Sequence, residues 1–340
     1  MNVLVSGGAG YIGSHAVLRL IESGHRVLII DTLYRGHREA TEVLKAIAPD
    51  RVSFEQCDIL ETQRLIDLMR EHQIEAVMHF AALAYVGESV DEPLRYYRNN
   101  TAGALSLLEA TQTAGIQRFV FSSTCATYGE PPPEFIPIPE TCRQMPVNPY
   151  GWSKLMVERM LIDHAAQARQ HGSPFAFAAL RYFNVAGSDP EGRIGEDHRP
   201  ESHLLPICLE VANGKRDAMT IFGDDYDTPD GTCIRDYVHV IDLVNAHLQV
   251  LDSLEPGDER IYNIGLGHGY SVRECIEACR RVTGHPIPVT LGARRPGDPP
   301  RLTADPRKIQ KELGFVAEFT DLDRTIETAW NWFRAHPNGY

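Results

Sequence analysis

The sequence predicts an α/β protein, a doubly wound parallel sheet followed by a smaller α/β lobe. Three observations carry this. Buried-strand signals at "VLVS", "RVLIID", "AVMHFA" and "RFVFSS" alternate with helical patterns around residues 12–23, 38–48, 61–72 and 94–115, the rhythm of a parallel sheet with helices on both faces. A glycine-rich turn joins the first strand to the first helix. After "FAFAALRYFN" the rhythm gives way to loops rich in Gly, Pro and Asp, "GSDPEGRIGEDHRPES" and "GDDYDTPDGTC", which marks a change of architecture. Residues 1–183 are therefore expected to form the first domain, with a return segment near 239–270, and residues 184–340 the second.

Taken in order, "VLVSGGAGYIG" places glycines at 7, 10 and 13, with Gly8 also satisfying the spacing. Such a turn lets a pyrophosphate approach a helix N-terminus closely. The helix packs through Ile12, Ala16 and Leu20 and stops at Gly24. Strand "RVLIID" ends in Asp31, about 18 residues after Gly13, where a carboxylate can bind ribose hydroxyls and repel a 2′-phosphate. This is the context of a Rossmann-like dinucleotide fold, and it favours NAD over NADP. Arg35, close by, reads as a solvated surface arginine. The strand "RFVFSS" runs into "SSTCATYG", and the proline-rich "EPPPEFIPIPE" at 130–140 reads as a surface loop near the site. Helical patterns at 240–253 and 271–284 flank "RIYNIG", and two last helices follow "ARRPGDPP". No internal repeat is visible.

The segment "NPYGWSK" at 148–154 predicts a helix capped by Asn148 with Pro149 in its first position. Tyr150 and Lys154 then share a face that Val157 and Leu161 continue as an apolar stripe. A plain helix would pair Lys154 with Glu158. Placed about 5 Å from the phenol, however, an ammonium lowers its pKa by about two units at an effective dielectric near 20. Tyr150 then serves as a base near neutrality, fit to take a hydroxyl proton while hydride leaves for a nicotinamide. Thr124 can share that proton and hold the oxygen, although a strand-end threonine also bonds its own backbone.

With 43% apolar residues the 340-residue chain can fill a sizeable core, and its net charge of −13 argues against nucleic-acid or anionic-membrane partners. Any anionic ligand must be held by local arginines or helix N-termini. Seven scattered cysteines without a CxxC point to a reducing cytoplasmic setting, with Cys275 and Cys279 on one helix face and no metal site. The chain opens directly on a strand and has no apolar run of membrane length, so a soluble, unexported protein is expected.

"GGAGYIG", "SST" and "YGWSK" resemble the extended short-chain dehydrogenase/reductase superfamily, and "HFAALAYVGESV", "RYFNVAGSDPEGRIGED", "DGTCIRDYVHV" and "RRPGD" narrow the resemblance to the UDP-glucose 4-epimerase family. It spans essentially the whole chain, including the closing "AHPNGY". The resemblance implies a tightly bound NAD that oxidises C4 of a UDP-sugar and returns hydride to the other face of the 4-keto intermediate. UDP-glucose and UDP-galactose are the implied substrates, galactose metabolism or UDP-sugar supply the setting, and a homodimer packed through helices near 94–115 and 150–171 the assembly. It assigns Tyr150 as base, Lys154 to the nicotinamide ribose and the phenol, and Thr124 to the serine-or-threonine role. Gly7, Gly10, Tyr11, Ile12, Gly13, Asp31, Asp58, Ile59, Phe80, Ala81, Ala82, Asn99, Ser122 and Tyr182 match cofactor positions. Asn184, His203, Leu204, Phe222, Arg235, Tyr237, Arg295, Asp298 and Leu302 match positions around the UDP-sugar.

Three residues depart from the family pattern. Ala84 stands where a lysine would reach the cofactor, His203 replaces an asparagine, and Leu302 replaces a bulky tyrosine that closes the sugar pocket in hexose-restricted members. Leucine is intermediate, so UDP-GlcNAc stays an open substrate. "STCATYGEP" and "DYDTPDGTCIRDY" also resemble UDP-arabinose/UDP-xylose 4-epimerases. Sugar-nucleotide 4,6-dehydratases share the fold and the Tyr-Lys pair but keep an Asp-Glu pair where this chain has Cys125 and Ala126. A non-catalytic NAD-sensing scaffold would have lost Tyr150 or Lys154.

Overall fold

The computed structural model describes residues 1–295 and 298–340; Pro296 and Gly297 of the "RRPGD" motif lie outside the described residues. The strands are β1 (Asn2–Ser6), β2 (Arg26–Asp31), β3 (Val52–Gln56), β4 (Ala76–His79), β5 (Arg118–Ser122), β6 (Ala176–Tyr182), β7 (Asn184–Ala186), β8 (Met219–Phe222), β9 (Ile234–Arg235), β10 (Tyr237–His239), β11 (Glu259–Ile264), β12 (Tyr270–Ser271), β13 (Val289–Gly292) and β14 (Arg301–Leu302). The α-helices are α1 (Tyr11–Glu22), α2 (Arg38–Ile47), α3 (Thr62–Glu71), α4 (Val86–Asp91), α5 (Pro93–Tyr96), α6 (Gly103–Ala114), α7 (Pro149–Gln170), α8 (Leu204–Ala212), α9 (Val240–Ser253), α10 (Val272–Thr283), α11 (Arg307–Leu313) and α12 (Leu322–Ala335).

Seven strands form one sheet in the order β11-β6-β5-β4-β1-β2-β3, with β1 parallel to β2 and β4, and the β2–β3, β4–β5 and β5–β6 pairs also parallel. The chain divides into two compact units, the first made of Met1–Gly129, Arg143–Arg181 and Val244–Tyr262 and the second of Glu130–Cys142, Tyr182–Leu243 and Asn263–Tyr340. In the first unit Leu4, Leu28, Val77, Phe119 and Phe177 pack with side chains of α3, α6 and α7. Their strand neighbours Val3, Val27, Met78, Val120 and Ala178, which point to the opposite face, are buried as well. Both faces are covered, as a doubly wound sheet requires.

β3 is a strand that the sequence reading misses. It lies at the sheet edge with mostly half-buried residues, so "VSFEQ" never shows the continuous apolar run of a central strand. The helix expected over 94–115 is broken. α5 and α6 are separated by a π-helical turn at Tyr97–Ala102, an irregularity often found at functional sites.

The second unit has its own core, in which Leu205, Leu209, Met219, Ile221, Cys275, Cys279, Ile326 and Trp332 are buried together. Its short strands pair as β7 with β10, β8 with β13, and β9 with β12 and β14. α10 starts in a capping box between Ser271 and Glu274 and stops at Gly284 in the left-handed conformation, the two devices that best define helix ends. Segment 130–140, read as a surface loop, is exposed over residues 132–135 and turns inward at its end. Ile138 is fully buried, its N–H donates to Thr303 O at 2.8 Å, and it bridges to Ala304.

Candidate active site

The sequence-predicted residues of the first unit gather at the carboxyl ends of the parallel strands, where open α/β sheets bind their ligands. Gly7 has φ +75°, and a Cβ there would lie 2.5 Å from Ala81 N; a Cβ on Gly13 would lie 2.1 Å from Gly7 O. Both glycines are thus dictated by geometry. At Gly10 the nearest atom to a Cβ would be 3.4 Å away, and Gly10 begins α1 without any side-chain cap. The result is an open cradle at a helix N-terminus, which fits a dinucleotide pyrophosphate beside Tyr11 and Ile12.

Asp31 is oriented by the same turn. Its carboxylate accepts from Ala9 N at 3.1 Å and from Leu33 N at 2.8 Å. Burial raises its pKa, with those N–H groups pulling the other way. Leu33 itself holds φ +62°, backbone strain that this carboxylate secures. Cys57 N donates to Asp31 O, which puts Asp58 and Ile59 next in the row. Phe80 and Ala81 donate their N–H groups to Ser6 O, fixing the turn before Ala82. Arg35 is not the solvated arginine expected. It pairs with Glu88 at 2.8 Å and stacks on Tyr85 at 4.1 Å.

α7 starts as predicted, with Asn148 accepting from Gly151 N at 2.8 Å and Pro149 in the first turn. Tyr150 is buried against Leu83, Tyr96 and Ala126. Lys154 is also buried and donates to Ser122 O at 2.7 Å, with its ammonium 4.9 Å from the Phe121 ring centre. Burial pushes its pKa down to about 7, with Glu158 opposing. Glu158 is not its partner in the ordinary helical sense. That carboxylate accepts from Arg181 Nε at 2.9 Å, Gln144 Nε2 at 3.0 Å and Ser123 Oγ. Thr124 Oγ1 accepts from Ala126 N at 3.1 Å, which leaves its hydrogen to donate. The next residues, Cys125 and Ala126, lie in a short 3-10 turn that supplies no carboxylate.

Sequence reasoning missed two supports of this row. Asn100 accepts from Leu83 N and donates to Leu83 O, each at 2.9 Å, and donates to Ser153 Oγ at 3.0 Å, so it ties the loop after β4 to α7. Asn99 donates to Asn100 at 2.9 Å. The buried Glu158–Arg181 pair was legible only as one charged residue inside the apolar run "FAFAALRYFN".

In the second unit β14 pairs Leu302 beside Arg235. Arg235 and Arg295 both bind the carboxylate of Asp298, and Arg295 stacks 5.0 Å from the ring centre of Phe222. The ion pairing weighed against a ligand role is therefore present, yet two guanidinium groups share one carboxylate and a positive charge is left over. Tyr237 sits opposite Asn184 between β10 and β7. His203 precedes Leu204 as the cap residue of α8. Around His203 lie Glu196, His198 and Glu201. Burial alone would lower the pKa of His198, but Glu196 and Glu201 raise it to about 10.

A family model described as the NAD dependent epimerase/dehydratase family matches residues 3–265. The chain belongs to the NAD-dependent epimerase/dehydratase family. It is 49% identical to a UDP-glucose 4-epimerase of Halalkalibacterium halodurans, over 100% of this chain and 98% of that protein. A probable UDP-arabinose 4-epimerase of Oryza sativa subsp. japonica is 47% identical, over 100% of this chain and 84% of that protein. The crystal structure of UDP-glucose 4-epimerase from Bifidobacterium longum in complex with NAD+ and UDP superposes with a TM-score of 0.94 at 38% identity, covering 100% of both chains. Membership of the epimerase/dehydratase family accounts for the uncapped glycine turn, and it leaves the choice between its two chemistries to the residues around Thr124.

Proposed function

We propose that this protein is a UDP-sugar 4-epimerase that interconverts UDP-glucose and UDP-galactose with NAD as a resident cofactor. The observation that carries the reading is the turn after Thr124. Beside Tyr150 and a buried Lys154, positions 125 and 126 are Cys and Ala, which offer no acid and base pair for elimination of water. NAD, when bound, supplies the hydride exchange at C4 of the sugar. Gly7, Gly10, Tyr11, Ile12 and Gly13 hold its pyrophosphate; Asp31 holds a ribose. Asp58, Ile59, Phe80, Ala81, Ala82, Asn99, Ser122 and Tyr182 complete the cofactor contacts. Tyr150 removes the 4-hydroxyl proton and gives it back after the keto sugar has turned, Thr124 holds that oxygen, and Lys154 tunes the phenol. In the second unit Asn184, Leu204, Phe222, Arg235, Tyr237, Arg295 and Asp298 hold the UDP moiety, with Leu302 beside the sugar.

Exposed apolar side chains on the helices expected to pair, Leu94, Leu105, Trp152 and Met156, support a homodimer. Seven cysteines, none of them in a disulfide, support the cytoplasm as its compartment. Among the described residues no helix is long and apolar enough to cross a membrane.

The test is incubation with UDP-galactose without added NAD, followed by proton NMR, with UDP-arabinopyranose and UDP-GalNAc in parallel. Formation of UDP-glucose supports both the retained cofactor and the chemistry. Faster turnover of UDP-arabinopyranose would move the assignment to the pentose. A 4-keto-6-deoxy product, or no reaction with NAD supplied, would overturn it.

A further inference from the structure

The loop that leads into α8 reads "GEDHRPESH" over residues 195–203, and it folds two carboxylates and two imidazoles of the second unit onto one another. The side chains of Glu196 and Glu201 are 4% and 3% exposed, those of His198 and His203 18% and 40%. The carboxylates form the floor of the cluster and the imidazoles its solvent side. His198 Nδ1 lies 3.0 Å from Glu196 Oε1 and 3.5 Å from Glu201 Oε2. His203 Nδ1 lies 2.8 Å from Glu201 Oε1 and 3.6 Å from Glu196 Oε1. Ligand atoms held 2.0–2.2 Å from a tetrahedral Zn2+ stand about 3.3–3.6 Å apart, so these four nitrogen–oxygen edges need shifts of about 0.5 Å or less to surround an ion. One ligand atom from each of the four residues lies within 4.8 Å of the other three.

We propose that Glu196, His198, Glu201 and His203 form a four-ligand site for a divalent cation of the zinc class, which staples this loop to the start of α8. With all four positions filled by protein, such a site is structural, not catalytic. Charge supports the ion. One imidazolium leaves two buried carboxylates with a charge unmatched, whereas a divalent cation between neutral imidazoles balances both. A proton on His198 occupies the same field and competes with the metal, so occupancy should fall in acid. Two imidazoles with two carboxylates suit zinc better than Ca2+ or Mg2+, which call for oxygen donors. The surroundings also resemble the outer shell that orients metal ligands. Glu201 Oε1 accepts from Ser202 N and His203 N, each at 2.7 Å, which fixes the carboxylate with Oε2 on the His198 side. Arg216 donates to Glu201 O at 3.2 Å. At the head of the loop Gly195 N donates to Tyr340 Oη at 3.0 Å, and Tyr340 N donates to Asp197 at 3.1 Å, so the chain on both sides of the ligands is anchored.

The experiment is titration of the chelator-treated, NAD-loaded protein with Co2+ alone, read by visible absorption, with Zn2+ added afterwards. The wild type should saturate at one equivalent with the strong bands of tetrahedral cobalt, and Zn2+ should bleach them. His198→Asn and His203→Asn leave both buried carboxylates in place. Each should weaken binding by more than about 100-fold, beyond the about 10- to 100-fold that loss of an outer-shell partner costs. Zn2+ should raise the unfolding temperature of the wild type and of neither variant. Absence of tetrahedral bands in the wild type would overturn the proposal. So would unchanged binding in either variant, or sulfur-to-cobalt charge transfer in the near ultraviolet, because the ion would then sit on one of the seven free cysteines. None of these readouts depends on the reaction the protein catalyses.

Discussion

Replacing Lys154 with methionine removes the ammonium while keeping an unbranched chain of similar length. In the folded protein burial leaves this lysine with a pKa of about 7, whereas in the unfolded chain it holds its proton to about 10.4. Between those values the unfolded chain carries a proton that the folded chain has lost, so the stability contributed by this residue rises with pH. Integrated from pH 7 to pH 9, the rise is about 2 kcal/mol. Buried thiols such as Cys275, whose pKa burial raises, act in the opposite sense at alkaline pH. They are common to both proteins and cancel in the difference. Urea unfolding of nucleotide-free wild type and Lys154→Met at pH 7 and pH 9 measures it. The variant should be favoured at pH 7 by about 2 kcal/mol more than at pH 9. A difference that does not change with pH would refute the reasoning, because it would mean that the ammonium is solvated. The same titration bears on the role proposed for Lys154: burial that lowers its pKa to about 7 weakens any tuning of Tyr150, because a neutral amine lends the phenol no positive charge.

Tyr150→Phe should retain NAD, seen as nucleotide released on denaturation, while turnover of UDP-galactose falls by roughly 100- to 10,000-fold; near-normal activity would remove Tyr150 as the base. Gly13→Ala puts a methyl group 2.1 Å from Gly7 O, and the purified variant should carry little nucleotide; full NAD content would show that the turn can shift. Glu158→Ala leaves Arg181 buried without its carboxylate and should destabilise the protein by about 3–5 kcal/mol in urea unfolding, a loss that Glu158→Gln should partly restore.

Much of the first unit was legible because its signals are local. Gly7 and Gly13 are demanded by backbone approach, Asn148 and Pro149 by helix initiation, and Tyr150 and Lys154 by one turn of helix. What the sequence hid depends on partners far along the chain. Glu158 reads as the neighbour of Lys154 until Arg181, on another strand, claims it. Asn100 looks like one polar residue in a helix until the π turn points it at Leu83 and Ser153. β3 failed because an edge strand need not be apolar on both faces. In the second unit, where the strands are only two to four residues long, periodicity has too little length to show; Arg235, Arg295 and Asp298 came together in the sequence only through the family resemblance, and their shared ion pairing at Asp298 is seen only in the structure.

The division of the chain into alternating segments bears on how it is made. The first unit is closed by Val244–Tyr262, and β11, which covers β6 at the end of the sheet, begins only at Glu259. Residues 183 to 258 must therefore leave the ribosome after β6 before that edge is paired, a wait of several seconds at about 5–20 residues per second. During it β6, buried along nearly its whole length in the finished fold, presents unpaired backbone of the kind that captures other chains. A nascent chain stalled or truncated inside the second unit is left with an open sheet edge, which makes the intact C-terminal half a guard against aggregation of the N-terminal half.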